Sequence, residues 1–198
     1  MRTNFKLNGR QVELECDPTD RLTHVLREQL KITGTKVGCN AGDCGACTVI
    51  LDGDVCCACL VGAGQVEGSE ITTVEGLINA GSLSGLQKAF LETGAVQCGI
   101  CIPGMLVSVA ALLSKNKNPT RQEIEHAIGG VLCRCTGYSK IVSSILNYTN
   151  KKTTKPIDYD APGQTIGRSI QRIDGVAKVA GDDKFGADNF PPDALLAR

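Results

Sequence analysis

Polar and apolar positions first alternate with a period of two. Phe5–Leu7 and Val12–Glu15 flank Asn8-Gly9, a pair suited to a two-residue hairpin turn. Val12, Leu14 and Cys16 then form one inward face. Pro18 and Asp20 break the strand, and Asp20 is the expected N-cap of a helix. Leu22, Val25, Leu26 and Leu30 recur at helical spacing, which predicts that amphipathic helix over 21–30, ended by Thr33-Gly34. A second hairpin is expected from strands at 48–51 and 55–61 around Asp52-Gly53, with a short strand at 71–74. Strands crossed by one helix, with a glycine-rich loop at the edge, describe a small β-grasp layer.

The period changes near residue 77. Leu83, Leu86, Phe90 and Leu91 predict a helix. Cys98-Gly-Ile-Cys101 opens a second, with Pro103 near its start, where a missing N–H costs little. Its buried stripe is Leu106, Val109, Ala110 and Leu113. Thr120 and Glu123 form a capping box ahead of Ile124, Ala127 and Ile128, and Gly129-Gly130 stops that helix. Tyr138, Ile141, Val142, Ile145 and Leu146 mark a fourth. The expected fold class is α+β: an N-terminal β-grasp layer of plant-type ferredoxin character over 1–76, an all-α four-helix unit over 77–150, a linker over 151–165 and an extended tail over 166–198. The tail has strand-like pieces at 170–173 and 176–179 but is too short to bury a core by itself.

Composition narrows the class. The 198 residues balance 21 basic against 21 acidic side chains, so no basic face for nucleic acid emerges. There is neither a signal-peptide pattern at the start nor a membrane-length apolar run, and a cytoplasmic location is expected.

The chemistry lies in eleven cysteines. An odd count without an export signal argues against a disulfide framework. Cys39-x4-Cys44-x2-Cys47 sits in a loop with Gly38, Gly42 and Gly45, and a further thiol comes after it. This spacing fits the plant-type [2Fe-2S] pattern, in which glycines let the backbone curl and aim N–H groups at sulfur. On the residues alone Cys56, Cys57 and Cys59 compete for the fourth place. The second set is Cys98-x2-Cys101 and Cys133-x-Cys135; here structural zinc rivals a cluster. Arg134 would offset the negative charge of a cluster. Cys16 and the unused cysteines default to buried apolar positions, and His24 and His126 to surface positions. No catalytic triad, carboxylate pair or phosphate loop stands out. The chain is therefore suited to moving electrons rather than remaking substrate bonds.

Two motifs carry a resemblance. Gly38-Cys39-x4-Cys44-Gly45-x-Cys47-Thr48 with Cys59-Leu60, and Gln97-Cys98-Gly99-x-Cys101-x-Pro103-Gly104 with Cys133-Arg134-Cys135-Thr136-Gly137-Tyr138, resemble the iron-sulfur portion of the molybdenum hydroxylases over about residues 1–150. Ile100 and Ile102 stand where Phe and Thr are frequent in that family. In the tail, Ile166-Gly167-Arg168-Ser169, Arg172-x-Asp174, Lys178-Val179-x-Gly181 and Phe185-x-x-Asp188 resemble the opening of the family's molybdenum-binding subunit.

The resemblance implies two [2Fe-2S] clusters, held by Cys39, Cys44, Cys47 and Cys59 and by Cys98, Cys101, Cys133 and Cys135. It implies a large partner subunit with a molybdopterin-type molybdenum cofactor that hydroxylates an aldehyde or an N-heterocycle. Electrons would leave singly, first to the bundle cluster and then to the outer one. A flavin (FAD) subunit or a soluble acceptor would take them next. Gln97 and Cys135 would border the pterin; Gly42 and Gly45 would shape the outer loop, and Thr136 and Gly137 close the inner one. The tail would join the large subunit by extended pairing. The rival readings are a stand-alone ferredoxin-like carrier and a zinc-stabilised interaction protein.

Overall fold

The asymmetry between an alternating half and a helical half becomes two hydrophobic cores side by side. The computed structural model describes residues 1–78, 80–151, 171–189, 191, 194 and 195. Strands β1 (Arg2–Leu7) and β2 (Arg10–Glu15) form the first hairpin, paired Leu7 to Arg10. Asn8 and Gly9 both have positive φ, as the twist-matched two-residue turn requires. Thr3, Phe5 and Leu7 point inward. Val12 and Leu14 on the edge strand are only half-buried, and Cys16 completes that face inside the core.

The expected helix over 21–30 is shorter and differently wound. Helix α1 is Leu22–His24 and continues as a π turn over Val25–Gln29. Leu30 N–H reaches back to Val25 O at 3.0 Å, and this widened turn lets Leu22, Val25 and Leu26 all face the core. The N-cap is Arg21, without a side-chain cap, rather than Asp20; Lys31, with positive φ, turns the chain before Thr33-Gly34 is reached.

Strands β3 (Thr48–Leu51) and β4 (Asp54–Cys57) form the second hairpin around Asp52-Gly53, again with positive φ at both residues. The returning strand ends at Cys57, short of the expected 61, because a 3-10 turn over Ala58–Leu60 carries Cys59 inward. Strand β5 is Glu70–Thr72, ending before the expected 74, because Val74 opens a 3-10 turn over Val74–Leu77. The five-stranded sheet has the order β2-β1-β5-β3-β4, with β1 and β5 parallel.

Four helices form the second half: α2 (Gly85–Glu92), α3 (Ile102–Lys115), α4 (Arg121–Ile128) and α5 (Ser139–Thr149). The Thr120/Glu123 box caps α4 as expected, and Pro103 lies in the first turn of α3. A second box, Ser84 with Gln87, caps α2 and was not expected from the sequence. Phe90, Ile102, Met105, Leu106, Ile124, Ile141 and Ile145 form the second core.

The tail departs most from expectation. The linker beyond residue 151, the Ile166–Ser169 motif and Ile170 lie outside the described residues. Residues 171–173 are not strand, and 176–179 belongs to a helix, α6 (Gly175–Ala180). Gly181, with φ +96, stops α6: its N–H and that of Asp183 both donate to Ala177 O. A helix satisfies its own backbone, so this stretch offers no strand edge for pairing with a partner. It packs instead on α2 and α3, where the Gln87 amide donates to Val179 O at 2.9 Å.

Beyond α6 the tail is tied to the sheet layer. Lys36 is 2% exposed; its ammonium donates to Asp183 O at 2.6 Å and lies 5.1 Å from the centre of the Phe185 ring. Arg27 donates to Thr33 O and Thr35 O at 2.8 and 2.9 Å and pairs with Asp188, the two side chains being 11% and 6% exposed. Removing one member of a buried pair strands the other charge. Asp188→Ala should therefore destabilise the chain by on the order of 3 kcal/mol, read as a lower urea midpoint. Burial pushes the Asp188 carboxyl up, but the Phe185 N–H and Arg27 outweigh it and the net shift is downward. A carboxyl depressed on folding stabilises above its unfolded value and loses that contribution as pH falls through its folded value. Denaturation across an acid pH series should show this loss below the ordinary carboxylate range, and Asp188→Asn should flatten it.

Candidate metal centres

The loop between α1 and β3 carries the first thiol set. It curls because Asn40, Gly42 and Gly45 all adopt positive φ. The Ala41 and Cys44 N–H groups then point at Cys39 Sγ, at 3.3 and 3.4 Å, and draw the Cys39 thiol down to about 7. Burial acts oppositely on Cys47 and pushes it up to about 12. The thiols gather as neighbours: the Cys44 side chain lies beside Cys39, and Cys59 beside Cys47. Cys39 is exposed, whereas Cys47 and Cys59 are buried.

The second set repeats this arrangement from helix ends. Cys98 and Cys101 lie in the turn opening α3, and Cys133 and Cys135 in the loop between α4 and α5. Cys135 lies beside Cys98, and Cys133 beside Cys101. The first pair is exposed; in the second Cys101 is buried and Cys133 half-buried. Burial raises the Cys101 thiol. Burial also pushes Cys133 up, but the Thr136 hydroxyl at 3.1 Å and the Thr136 N–H at 3.5 Å outweigh it, and Cys133 shifts down. Tyr138, with φ +68, turns its hydroxyl back to accept from Cys133 N–H at 2.9 Å.

Donors gathered in pairs fit a two-iron body, in which each metal takes two thiolates. The N–H groups aimed at Cys39, with the Thr136 contacts at Cys133, supply the polar surroundings that sulfur in a cluster accepts.

The two loops touch. Leu132 N–H donates to Cys44 O at 2.9 Å, which leaves Cys133 as the next residue along the chain. Gly45 makes this approach possible, since a Cβ there would lie 2.1 Å from Gly130 O. Gly42, with φ +84, meets only the end of the exposed Leu60 side chain, which can move aside. Among the other expected site residues, Gln97 is exposed beside Cys98, and Gly137 lies in the open with φ +56. Arg134 is exposed.

Two contributors were not legible in the sequence. Leu132 lacks any motif signal. Lys178 lies within a motif, but only packing reveals that its stem covers Gly99, between Cys98 and Cys101. Of the spare cysteines, Cys16 is buried with its Sγ 3.7 Å from the Thr3 hydroxyl, while Cys57 faces the first loop.

Comparison with known proteins agrees with this geometry. The family described as 2Fe-2S iron-sulfur cluster binding domain matches residues 5–81, and the [2Fe-2S] binding domain family matches 73–146. The chain is 49% identical over 142 residues to the nicotinate dehydrogenase small FeS subunit of Eubacterium barkeri, covering 72% of this chain and 90% of that one. The chain belongs to the iron-sulfur subunits of the molybdenum hydroxylases.

Within this family it is also 40% identical over 194 residues to the aldehyde oxidoreductase of Megalodesulfovibrio gigas. That match covers 92% of this chain and so takes in part of the tail, but only 21% of the relative. The crystal structure of the aldehyde oxidoreductase from Desulfovibrio desulfuricans superposes with a TM-score of 0.91 at 39% identity, over 98% of this chain and 23% of that one. The chain thus spans less than a quarter of these longer relatives.

A side chain at position 45 must displace backbone and adopt a strained φ. Gly45→Ala should cost about 2–4 kcal/mol, measured by chemical denaturation; Gly53→Ala, at a positive-φ turn with open space around it, should cost less.

Proposed function

We propose that this chain is the electron relay of a molybdenum hydroxylase: a ferredoxin-type sheet layer over 1–76 and a four-helix [2Fe-2S] layer over 77–150. The observation that carries the reading is the polarity of the two thiol sets. Each sets exposed thiols (Cys39; Cys98 and Cys135) against buried ones (Cys47 and Cys59; Cys101), with Cys44 and Cys133 half-buried, and the loops meet backbone to backbone through Leu132 and Cys44.

When bound, a [2Fe-2S] cluster accepts and releases single electrons. Cys98, Cys101, Cys133 and Cys135 hold the inner one, and Cys39, Cys44, Cys47 and Cys59 the outer. Cys98 and Cys135, with Gln97 beside them, present the inner site to the molybdopterin cofactor of a large partner subunit. Thr136 and Gly137 close the loop behind Cys133. The Cys44–Leu132 hydrogen bond gives a short covalent and hydrogen-bonded path between the sites. Gly42 and Gly45 shape the outer loop, and exposed Cys39 marks where electrons leave for a flavin subunit or a soluble acceptor. The buried pairs exclude water, and N–H groups directed at sulfur tune the potential. The substrate would be an aldehyde or an N-heterocycle, bound and oxidised in the partner.

Anaerobic isolation of the chain with its partners, with metal analysis and electron paramagnetic resonance, tests this. A large partner carrying molybdenum, four irons per chain and two distinct [2Fe-2S] signals on reduction are expected. Cys47→Ser and Cys101→Ser should each weaken a different one of those signals. Zinc in place of iron, or two irons per chain, would refute the two-site relay.

A further inference from the structure

The outer site holds one thiol more than a [2Fe-2S] cluster requires. Cys56 and Cys57 end β4 and, by strand alternation, face opposite ways. Cys56 pairs in register with the fully buried Val49, and Cys57 with Thr48; both cysteines are half-buried and pack against the sheet core. Cys57 turns toward the cysteine loop. Its Sγ donates to Gly42 O at 3.7 Å, in the middle of that loop. Cys47, Cys59, Cys44 and Cys39 are all near enough to act on it.

Cys47 has both candidate thiols in its surroundings: Cys59 and Cys57 are each close enough to act on it. The two candidates stand two residues apart, on either side of the point where β4 gives way to the 3-10 turn. Cys59 lies inside that turn and is buried, whereas Cys57 precedes it and is half-exposed.

We propose that Cys57 is a reserve ligand of the outer cluster, able to take the place of Cys59 on the iron that Cys47 binds. The exchange balances without a redox step: the Cys57 S–H gives its proton to solvent, and its sulfur–iron bond forms where the bond to residue 59 is missing. The inference rests on the proposed [2Fe-2S] occupancy of the outer site.

The test compares Cys59→Ala with the double variants Cys57→Ala/Cys59→Ala and Cys56→Ala/Cys59→Ala in the full chain, prepared anaerobically. Iron per chain, visible circular dichroism and electron paramagnetic resonance are read, with the inner signal as an internal control. Cys59→Ala is expected to keep nearly all its iron and an outer signal shifted from wild type. Loss of Cys57 in addition should remove that signal and roughly half the iron, and loss of Cys56 should not. If Cys59→Ala loses the outer signal as fully as the Cys57/Cys59 double variant does, whether or not it folds, the reserve role is overturned. A wild-type chain without any outer [2Fe-2S] signal would overturn the occupancy reading itself, and the reserve role with it.

Discussion

Backbone meets backbone at Gly45, and the rest of the molecule is arranged around that contact. The carbonyl of Gly130 occupies the space a Cβ at position 45 would need, and the Gly45 carbonyl in turn crowds Gly104 at the start of α3. Two loops, each built to curl around sulfur, are thereby pressed together without a side chain between them. The contact brings the two candidate metal loops within backbone hydrogen-bond distance, Leu132 N–H to Cys44 O at 2.9 Å. It also explains why the sheet and bundle cores lie side by side rather than as beads on a string.

The same junction is secured from the other side by the tail. Helix α6 lies on α2 and α3, while Lys36 and Arg27 from the sheet layer grip residues 181–188. These cations are expensive to bury alone, and their carbonyl, carboxylate and aromatic partners offset that cost. Lys178 pairs with Asp183 at 2.6 Å while its stem lies over Gly99. One short segment thus fastens the approach to the outer loop and covers the inner one.

Burial gives both thiol sets a direction. At the outer site a polar, N–H-rich environment favours the Cys39 thiolate, whereas Cys47 is raised by desolvation. At the inner site Cys101 lies in the bundle core while Cys98 and Cys135 remain exposed. Such asymmetry suits a unit that receives charge at one surface and delivers it at another.

The two cysteine loops and much of the local architecture were written in the sequence. Asn8-Gly9 and Asp52-Gly53 specify their turns because few residues tolerate two consecutive positive φ values, and Thr120 with Glu123 specifies a helix start by satisfying free N–H groups. Cysteine spacing marked both loops because thiols bound to one small body must lie close along the chain or return to it. The tail differs from its sequence pattern because Val176 and Val179 suit a strand as well as a helix. Only the neighbouring faces of α2 and α3, with Gly181 to end the turn, decide for the helix. Likewise no local pattern could reveal that Cys57 faces the outer loop, that Leu132 bonds to Cys44, that Lys36 is buried or that Arg27 pairs with Asp188. Those facts depend on long-range packing, which places residues far apart in sequence within hydrogen-bond distance.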